Sequence, residues 1–181
     1  MKQSRYEMMT QRPVRSLILS LCVPTVASMM VTNLYNLVDT YYVDRLGISA
    51  GGAVGVVFSL MAVIQAIGFM LGHGSGTSVS FALGRKEMER ASTYASTGFF
   101  LALICGSILC AGGLWQLSDL MRLLGSTHSI LPYAKDYGCW ILLAAPLMAA
   151  SCVLNVVLRY EGKALFAMYG LGAGALLNMA G

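Results

Sequence analysis

A single carboxylate lies inside the first apolar stretch of the chain. Asp39 comes late in a run that begins near Leu17, and Asn36 and Thr32 precede it by three and seven residues. At that spacing the polar side chains share one face of a helix, which must point away from lipid. An ionised side chain in a bilayer costs about 2.5 to 3.5 kcal/mol on insertion scales, so Asp39 is a candidate site for a proton or small cation. The alternative is an interfacial acid about 7.5 Å inside the membrane boundary, although aspartate has a short stem for reaching water.

A second polar residue, Asn178, lies in the last apolar stretch. Counting from Lys163 at about 1.5 Å per residue places it roughly 8 Å below the outer membrane boundary. The depth of Asp39, counted from the opposite direction, is similar. The two residues are therefore candidates for one shared site. An isolated asparagine that only bonds to a neighbouring helix is the alternative.

Two further features concern the geometry of the helices. Pro24 removes a backbone hydrogen bond from the first stretch and predicts a kink or a bending point there. Small residues recur at every fourth position of the second stretch, which predicts close contact with another helix. These residues are Gly68, Gly72, Gly76, Ser80 and Gly84.

His73 raises the question of catalysis or haem binding inside the apolar stretches. A bis-histidine haem site needs a second histidine, and a hydrolase would pair His73 with the nearby Ser75. The other histidine of the chain, His128, lies in a connection between stretches, so neither arrangement is available there. No catalytic residue is expected, and the sequence predicts that the protein is not an enzyme.

The composition indicates a membrane protein. Hydrophobic residues make up 57% and charged residues 11% of the 181 residues, with a mean hydropathy of +0.69. Soluble domains contain about 25% charged residues. The net charge of +4 comes from short basic clusters between apolar runs, a pattern that does not favour nucleic-acid binding. The five cysteines show no CxxC or secreted disulfide spacing and are interpreted as packing residues.

Helices of about 20 residues span the hydrocarbon core of a bilayer. That length predicts an all-α integral membrane protein with four complete transmembrane helices and a truncated fifth. Their predicted ranges are about 17–43, 54–83, 92–115, 138–158 and 165–181. Residues 1–16 form a basic amino-terminal segment, and residues 17–181 form a partial membrane lobe. The semi-polar connection 116–137 is expected to lie on the membrane surface as an amphipathic segment.

The basic residues predict the orientation of the chain. Nine of its 12 lysines and arginines precede the first span or follow the second and fourth spans, and three lie on the opposite side. The excess of positive charge places the amino terminus in the cytoplasm. We therefore expect a multi-pass protein of the inner or plasma membrane.

Four segments together resemble the multidrug and toxic compound extrusion (MATE) family of transporters. They are NLVDTYYVDRLG in the first span, GHGSGTSVSFALGRKEMERA at the end of the second, LRYEGKALFAM before the fifth, and LLNMAG within it. The last is similar to the start of an Asn-x-x-x-Asp element whose acid would follow Gly181. The resemblance implies the amino-terminal lobe of a twelve-helix transporter with two lobes, of which the sixth helix and the carboxy-terminal lobe are missing from this sequence.

The resemblance also implies roles for individual residues. It makes Asp39 the residue that binds the coupling ion, with Asn178 and Tyr35 near it, and Pro24 the residue at which the first helix bends. Asn36 joins this set through the polar face that it shares with Asp39. The implied activity is export of organic cations or drugs in exchange for H+ or Na+. No cofactor is expected beyond the coupling ion, and Asp39 and Asn178 would be metal ligands only if that ion is Na+.

Other functions remain open at this point. A lipid-linked oligosaccharide flippase of the same superfamily would be expected to hold a pyrophosphate with cations inside its cavity, and no lysine or arginine lies inside a predicted span. A membrane scaffold subunit that transports nothing is the second alternative. An intramembrane enzyme is the third, and it lacks paired catalytic groups.

Overall fold

The chain folds as a bundle of α-helices in a computed structural model that describes residues 13–44 and 48–180. Every regular element within these two ranges is helical. The elements are α1 Val14–Asp44, α2 Ile48–Gly84, α3 Met88–Trp115, α4 Leu117–Leu123, α5 Leu131–Tyr160 and α6 Ala164–Ala180. Most of the predicted basic segment 1–16 lies outside the described residues.

Four of these helices are long and apolar enough to cross a bilayer. The membrane-spanning ranges are Val14–Val31, Gly51–Gly84, Met88–Trp115 and Leu131–Tyr160, and a shorter apolar helix covers Ala164–Gly174. This confirms the prediction of four complete spans and a partial fifth. A helix rises about 1.5 Å per residue, so the 30 residues of α5 extend about 45 Å, enough to place both ends among the lipid headgroups.

The connection between the third and fourth predicted spans is shorter than the sequence indicated. The helix α5 begins at Leu131, seven residues before the predicted start, and Pro132 lies in its first turn. Proline is well suited to that position because its fixed φ angle matches a helix and its missing N–H is not needed there. The helix α4 buries Met121 completely, so its apolar side packs against the bundle. The structure adds this contact to the amphipathic segment that the sequence predicted, and its location at the membrane surface stays a prediction.

The helices α2, α3 and α5 form the centre of the bundle, and the contact between α2 and α5 is the most extensive one. Its interior contains Val57, Ile64, Leu142 and Val153, all of which are inaccessible to solvent. The helix α1 packs mainly against α6 and touches α2, so α1 and α6 form a second layer beside the central three.

Glycines allow the central helices to approach closely. A Cβ atom added at Gly68 would lie 2.8 Å from the Cβ atom of Cys152, and one added at Gly72 would lie 3.0 Å from the Cβ atom of Val156. A Cβ atom at Gly106 of α3 would lie 2.5 Å from the Cα atom of Pro146. The backbones of α2 and α3 therefore reach α5 at points where a larger side chain does not fit.

Candidate functional site

The predicted coupling residues lie on two helices that pack against each other. Asp39 is in the last two turns of α1, and Asn178 is in the last turn of α6. The helices α1 and α6 are neighbours in the bundle. They are the first and the fifth predicted spans, so both run toward the same membrane face. The side chains of Asp39, Asn178, Asn36 and Tyr35 lie outside the described part of the structure.

Pro24 lies in the first half of α1 and is buried in the bundle. The helix continues through this position from Val14 to Asp44. A proline inside a helix leaves the carbonyl four residues earlier without its usual amide donor and weakens the helix locally. The bending point that the sequence predicts is thus 15 residues before Asp39 on the same helix.

A histidine and a tyrosine connect α2 and α5 near one end of the bundle. The Nδ1 atom of His73 lies 3.2 Å from the hydroxyl oxygen of Tyr160, and the two rings meet edge to face with centroids 5.9 Å apart. Gly76 provides the space for the tyrosine, since a Cβ atom added there would lie 2.5 Å from its Cδ2 atom. The hydroxyl of Ser80 also donates to the carbonyl oxygen of Tyr160 at 3.1 Å.

Ser75 lies on the other side of α2, next to α3. Its hydroxyl donates to the carbonyl of Leu71 at 2.7 Å, and its Oγ atom would lie 2.5 Å from a Cβ atom added at Gly98. His73 and Ser75 are two residues apart, which places them about 200° apart around the helix. The structure therefore separates the two residues that a hydrolase would need to bring together.

A side-chain hydrogen bond connects α5 to α6. The amide nitrogen of Asn155 donates to the carbonyl oxygen of Ala167 at 3.2 Å, and the asparagine is half-buried. This bond joins the central helices to the second layer.

The described residues contain no group of three or more His, Cys, Asp or Glu side chains that could hold a metal ion. This finding does not concern Asp39, whose side chain lies outside the described part. The Na+ ligands predicted from the resemblance therefore stay a prediction.

The comparison with protein families decides the classification. The sequence profile of the MatE family matches residues 24–181. The chain belongs to the MatE family. The match includes Pro24, Asp39 and Asn178, and it confirms the multidrug and toxic compound extrusion family to which the sequence motifs pointed. Members of this family are membrane transporters.

Individual relatives agree with the family match. The chain is 25% identical to the FAD transporter of Shewanella oneidensis over 92% of its residues, and 25% identical to the multidrug export protein MepA of Staphylococcus saprophyticus over 87%. A crystal structure of MATE in the bent conformation matches 92% of this chain with a TM-score of 0.83 and 30% identity. The chain spans 37%, 35% and 37% of the length of these three proteins.

Tyr160 is a structural residue of this region that the sequence did not reveal. It lies just after a predicted span, where tyrosines are common because their side chains favour the membrane–water interface. The available signal was indirect: His73 needs a polar partner in an apolar helix, and Gly76 lies one turn later on the same side. The identity of the partner required knowing that α2 and α5 pack side by side in parallel, so that Gly76 meets Tyr160.

Proposed function

We propose that this chain is the amino-terminal part of a secondary antiporter that exports small organic cations in exchange for H+ or Na+. The observation that carries the proposal is the MatE family match over residues 24–181. The chain spans about a third of the length of its relatives, so the activity belongs to the complete protein. The cytoplasmic amino terminus, predicted from the basic residues, completes the arrangement.

The distribution of charge supports a cationic substrate. The helices α2 and α6 contain no Asp, Glu, Lys or Arg, so neither offers a fixed positive charge to an anion inside the membrane. The acid within the first predicted span is Asp39. A carboxylate without a nearby fixed cation favours binding of a proton, a metal cation or an organic cation over binding of an anion.

The proposed coupling uses Asp39 together with the neighbouring helix α6. For H+ coupling, the carboxyl group binds a proton in one conformation of the transporter and releases it in the other. For Na+ coupling, the carboxylate stays ionised and oxygen ligands such as that of Asn178 join it. Asn36 and Tyr35 lie within one turn of Asp39 and are the proposed polar neighbours on α1.

Bending of α1 at Pro24 is the proposed conformational step. A solved relative is described in a bent conformation, and the weakened hydrogen bonding at Pro24 supplies a place for a bend in this chain. A bend at that position would change how the second half of α1, which carries Asp39, lies against α6. Exposure of the carboxyl group would then depend on the conformation of the helix.

An anionic nucleotide is the second candidate substrate. The Shewanella oneidensis relative, which matches 92% of this chain, is described as an FAD transporter. An FAD carrier must bind a pyrophosphate, which usually requires arginine, lysine or several backbone amides. Because α2 and α6 lack basic residues, such cations would have to come from the remainder of the protein.

Transport by the complete protein in proteoliposomes distinguishes the two substrates. Vesicles are loaded with the cationic dye ethidium or with FAD, and exit is measured under an imposed H+ or Na+ gradient. The proposal predicts ethidium exit that depends on a gradient and no gradient-dependent exit of FAD. Exit of FAD alone would contradict it and support the nucleotide carrier. Exit of neither compound at any gradient would contradict both.

A further inference from the structure

The exposed side of α3 carries a groove near the end at which the helix begins. Its volume is about 480 Å³, which falls within the range of roughly 300 to 1,000 Å³ that is usual for small-molecule sites. The residues that α3 buries against the bundle are small and lie on the opposite side of the helix: Ala91, Gly98, Ala102 and Gly106. The groove therefore faces away from the core of the bundle.

Hydroxyl groups line the half of the groove that is nearer the start of α3. They belong to four exposed residues: Ser92, Thr93, Ser96 and Thr97. The hydroxyls of Thr93, Ser96 and Thr97 donate to the backbone carbonyls four residues earlier, at 2.9, 2.9 and 2.8 Å. A hydroxyl whose proton is used in this way still has oxygen lone pairs that accept hydrogen bonds. This half of the groove therefore offers mainly hydrogen-bond acceptors.

Apolar side chains line the other half of the groove. They are Phe100, Leu101 and Ile104, and all three are exposed. Exposed apolar residues continue beyond the groove to Ile108 and Trp115 on a helix that is long and apolar enough to cross the bilayer. The lining of the groove thus changes from polar to apolar along the helix, as a phospholipid does from its headgroup to its acyl chains.

The length of α3 places this change at a membrane boundary. Trp115 is the last residue of α3 and is 90% exposed, and tryptophan favours the membrane–water interface. A hydrocarbon core of about 30 Å takes up about 20 helical residues. Counted back from Trp115, the opposite boundary falls near Ala95, between the hydroxyl-bearing residues. Phe100 and Ile104 then lie at the depth of the acyl chains, and the hydroxyl groups lie at the depth of the headgroups.

The chemistry of the lining identifies the headgroup. The described residues that line the groove include no charged side chain, so the groove itself offers no cation to an anionic lipid. Hydrogen-bond acceptors instead complement a headgroup that carries N–H donors. A primary ammonium group has three such donors, whereas the quaternary ammonium group of phosphatidylcholine has none.

We propose that the groove binds phosphatidylethanolamine. The ammonium group of the lipid donates to the hydroxyl oxygens of Ser96 and Thr97, and an acyl chain lies along Phe100 and Ile104. The surface is continuous with the apolar side of α3, which already places the groove in contact with lipid. The proposal depends on neither the transported substrate nor the coupling ion.

Lipid binding to the purified complete protein tests this proposal. Native mass spectrometry measures apparent dissociation constants for dioleoylphosphatidylethanolamine and dioleoylphosphatidylcholine, which differ in the methylation of the headgroup nitrogen. The unmodified protein is expected to bind the ethanolamine lipid several-fold more tightly. The double variant Ser96→Ala, Thr97→Val nearly preserves the size of the side chains and removes two acceptors. It is expected to weaken binding of the ethanolamine lipid about tenfold and to leave binding of the choline lipid unchanged.

Ser107→Ala is the matched control. Ser107 is exposed on the same side of α3, and its hydroxyl donates to the carbonyl of Leu103 at 2.7 Å. It follows Thr97 by ten residues, a rise of about 15 Å, and lies outside the groove. Its replacement removes an equivalent hydrogen bond within the helix and should leave both dissociation constants unchanged. Melting temperatures of the variants are recorded to compare their folding.

Three results would overturn the proposal. The first is that the unmodified protein binds the two lipids with affinities within about twofold of each other, which would show that the groove does not recognise the headgroup or is covered by another part of the complete protein. The second is that the double variant keeps its affinity for the ethanolamine lipid within about twofold. The third is an equal loss in Ser107→Ala, which would assign the effect to α3 as a whole. If the double variant does not yield folded protein, Thr93→Val, which removes one acceptor from the groove, decides the question by the same criteria.

Discussion

Replacing Gly106 by alanine adds one methyl group where α3 and α5 touch through their backbones. The added Cβ atom would lie 2.5 Å from the Cα atom of Pro146, 3.0 Å from its nitrogen, and 3.0 Å from the carbonyl oxygen of Ala145. These are backbone atoms of α5, so no side chain can rotate away to make room. The two helices must move apart, and the packing around their contact must loosen.

Two opposing contributions determine how much Gly106→Ala changes the free energy of unfolding. Alanine favours a helix over glycine by about 0.8 to 1.0 kcal/mol. Overpacking a close contact costs about 1 to 3 kcal/mol. Gly112 in the same helix has open space around the position of a Cβ atom. Gly112→Ala therefore gains the helix preference of alanine without the cost of overpacking. The difference between the two variants therefore isolates the steric term, at about 1 to 3 kcal/mol.

Apparent melting temperatures of the complete protein in detergent, measured at one scan rate, test this prediction. Gly106→Ala should melt several degrees below Gly112→Ala, which should melt at or above the temperature of the unmodified protein. The same order is expected for the yield of folded protein. Equal melting temperatures for the two variants would refute the close contact between α3 and α5.

Three further outcomes are expected from the complete protein. Replacing Gly72 or Gly76 by leucine should reduce the yield of folded protein in size-exclusion chromatography. Leucine at Gly74, which has open space around it, should leave the yield unchanged. Equal yields for all three variants would contradict the contact between α2 and α5. Tyr160→Phe should lower the free energy of unfolding by about 0.5 to 1.5 kcal/mol through loss of one hydrogen bond. The same substitution should cause no such loss in a protein that already carries His73→Ala. An equal loss in that protein would show that His73 and Tyr160 do not interact. Exchange of one proton for one monovalent cation is electroneutral, so only the pH gradient drives it, at about 1.4 kcal/mol per pH unit. In proteoliposomes, export should therefore persist at zero membrane potential and stop without a pH gradient. Export driven by the potential alone would indicate a second coupling charge.

The spans were predictable because hydropathy reports them directly. A bilayer requires about 20 apolar residues in a helix, and the long runs of α2 and α3 satisfy that requirement without help from tertiary structure. The recurrence of glycine in α2 likewise indicated a helix contact. The sequence did not say which helix would meet it. That answer depends on the parallel packing of α2 and α5, which brings Gly68 to Cys152 and Gly76 to Tyr160.

Tertiary packing determined details that local polarity did not predict. The segment 116–137 was expected to be a connection between spans, yet α5 already begins at Leu131 and Met121 of α4 is completely buried. The hydrogen bond from Asn155 of α5 to Ala167 of α6 was likewise not predicted from the sequence. In each case the partner lies on another element, and a single sequence does not reveal that element.

The left-handed conformation of Lys86, just after the end of α2, was also not predicted, because glycine is the residue expected in that conformation.

The structure leaves the predicted coupling site on α1 and α6 untested. Its residues came from one polar helix face and from family motifs, and the structure adds that their two helices are neighbours. The roles of Asp39, Asn178, Asn36 and Tyr35 stay predictions.

Transport by Asp39→Asn in the complete protein tests the central claim most directly. The amide has nearly the shape of the carboxyl group but cannot bind and release a proton or hold Na+ by charge. Efflux of a cationic dye from proteoliposomes is measured under an imposed H+ or Na+ gradient, with expression and melting temperature recorded for both proteins. The account predicts that gradient-driven efflux is lost while the protein remains folded. Efflux at the rate of the unmodified protein would contradict it.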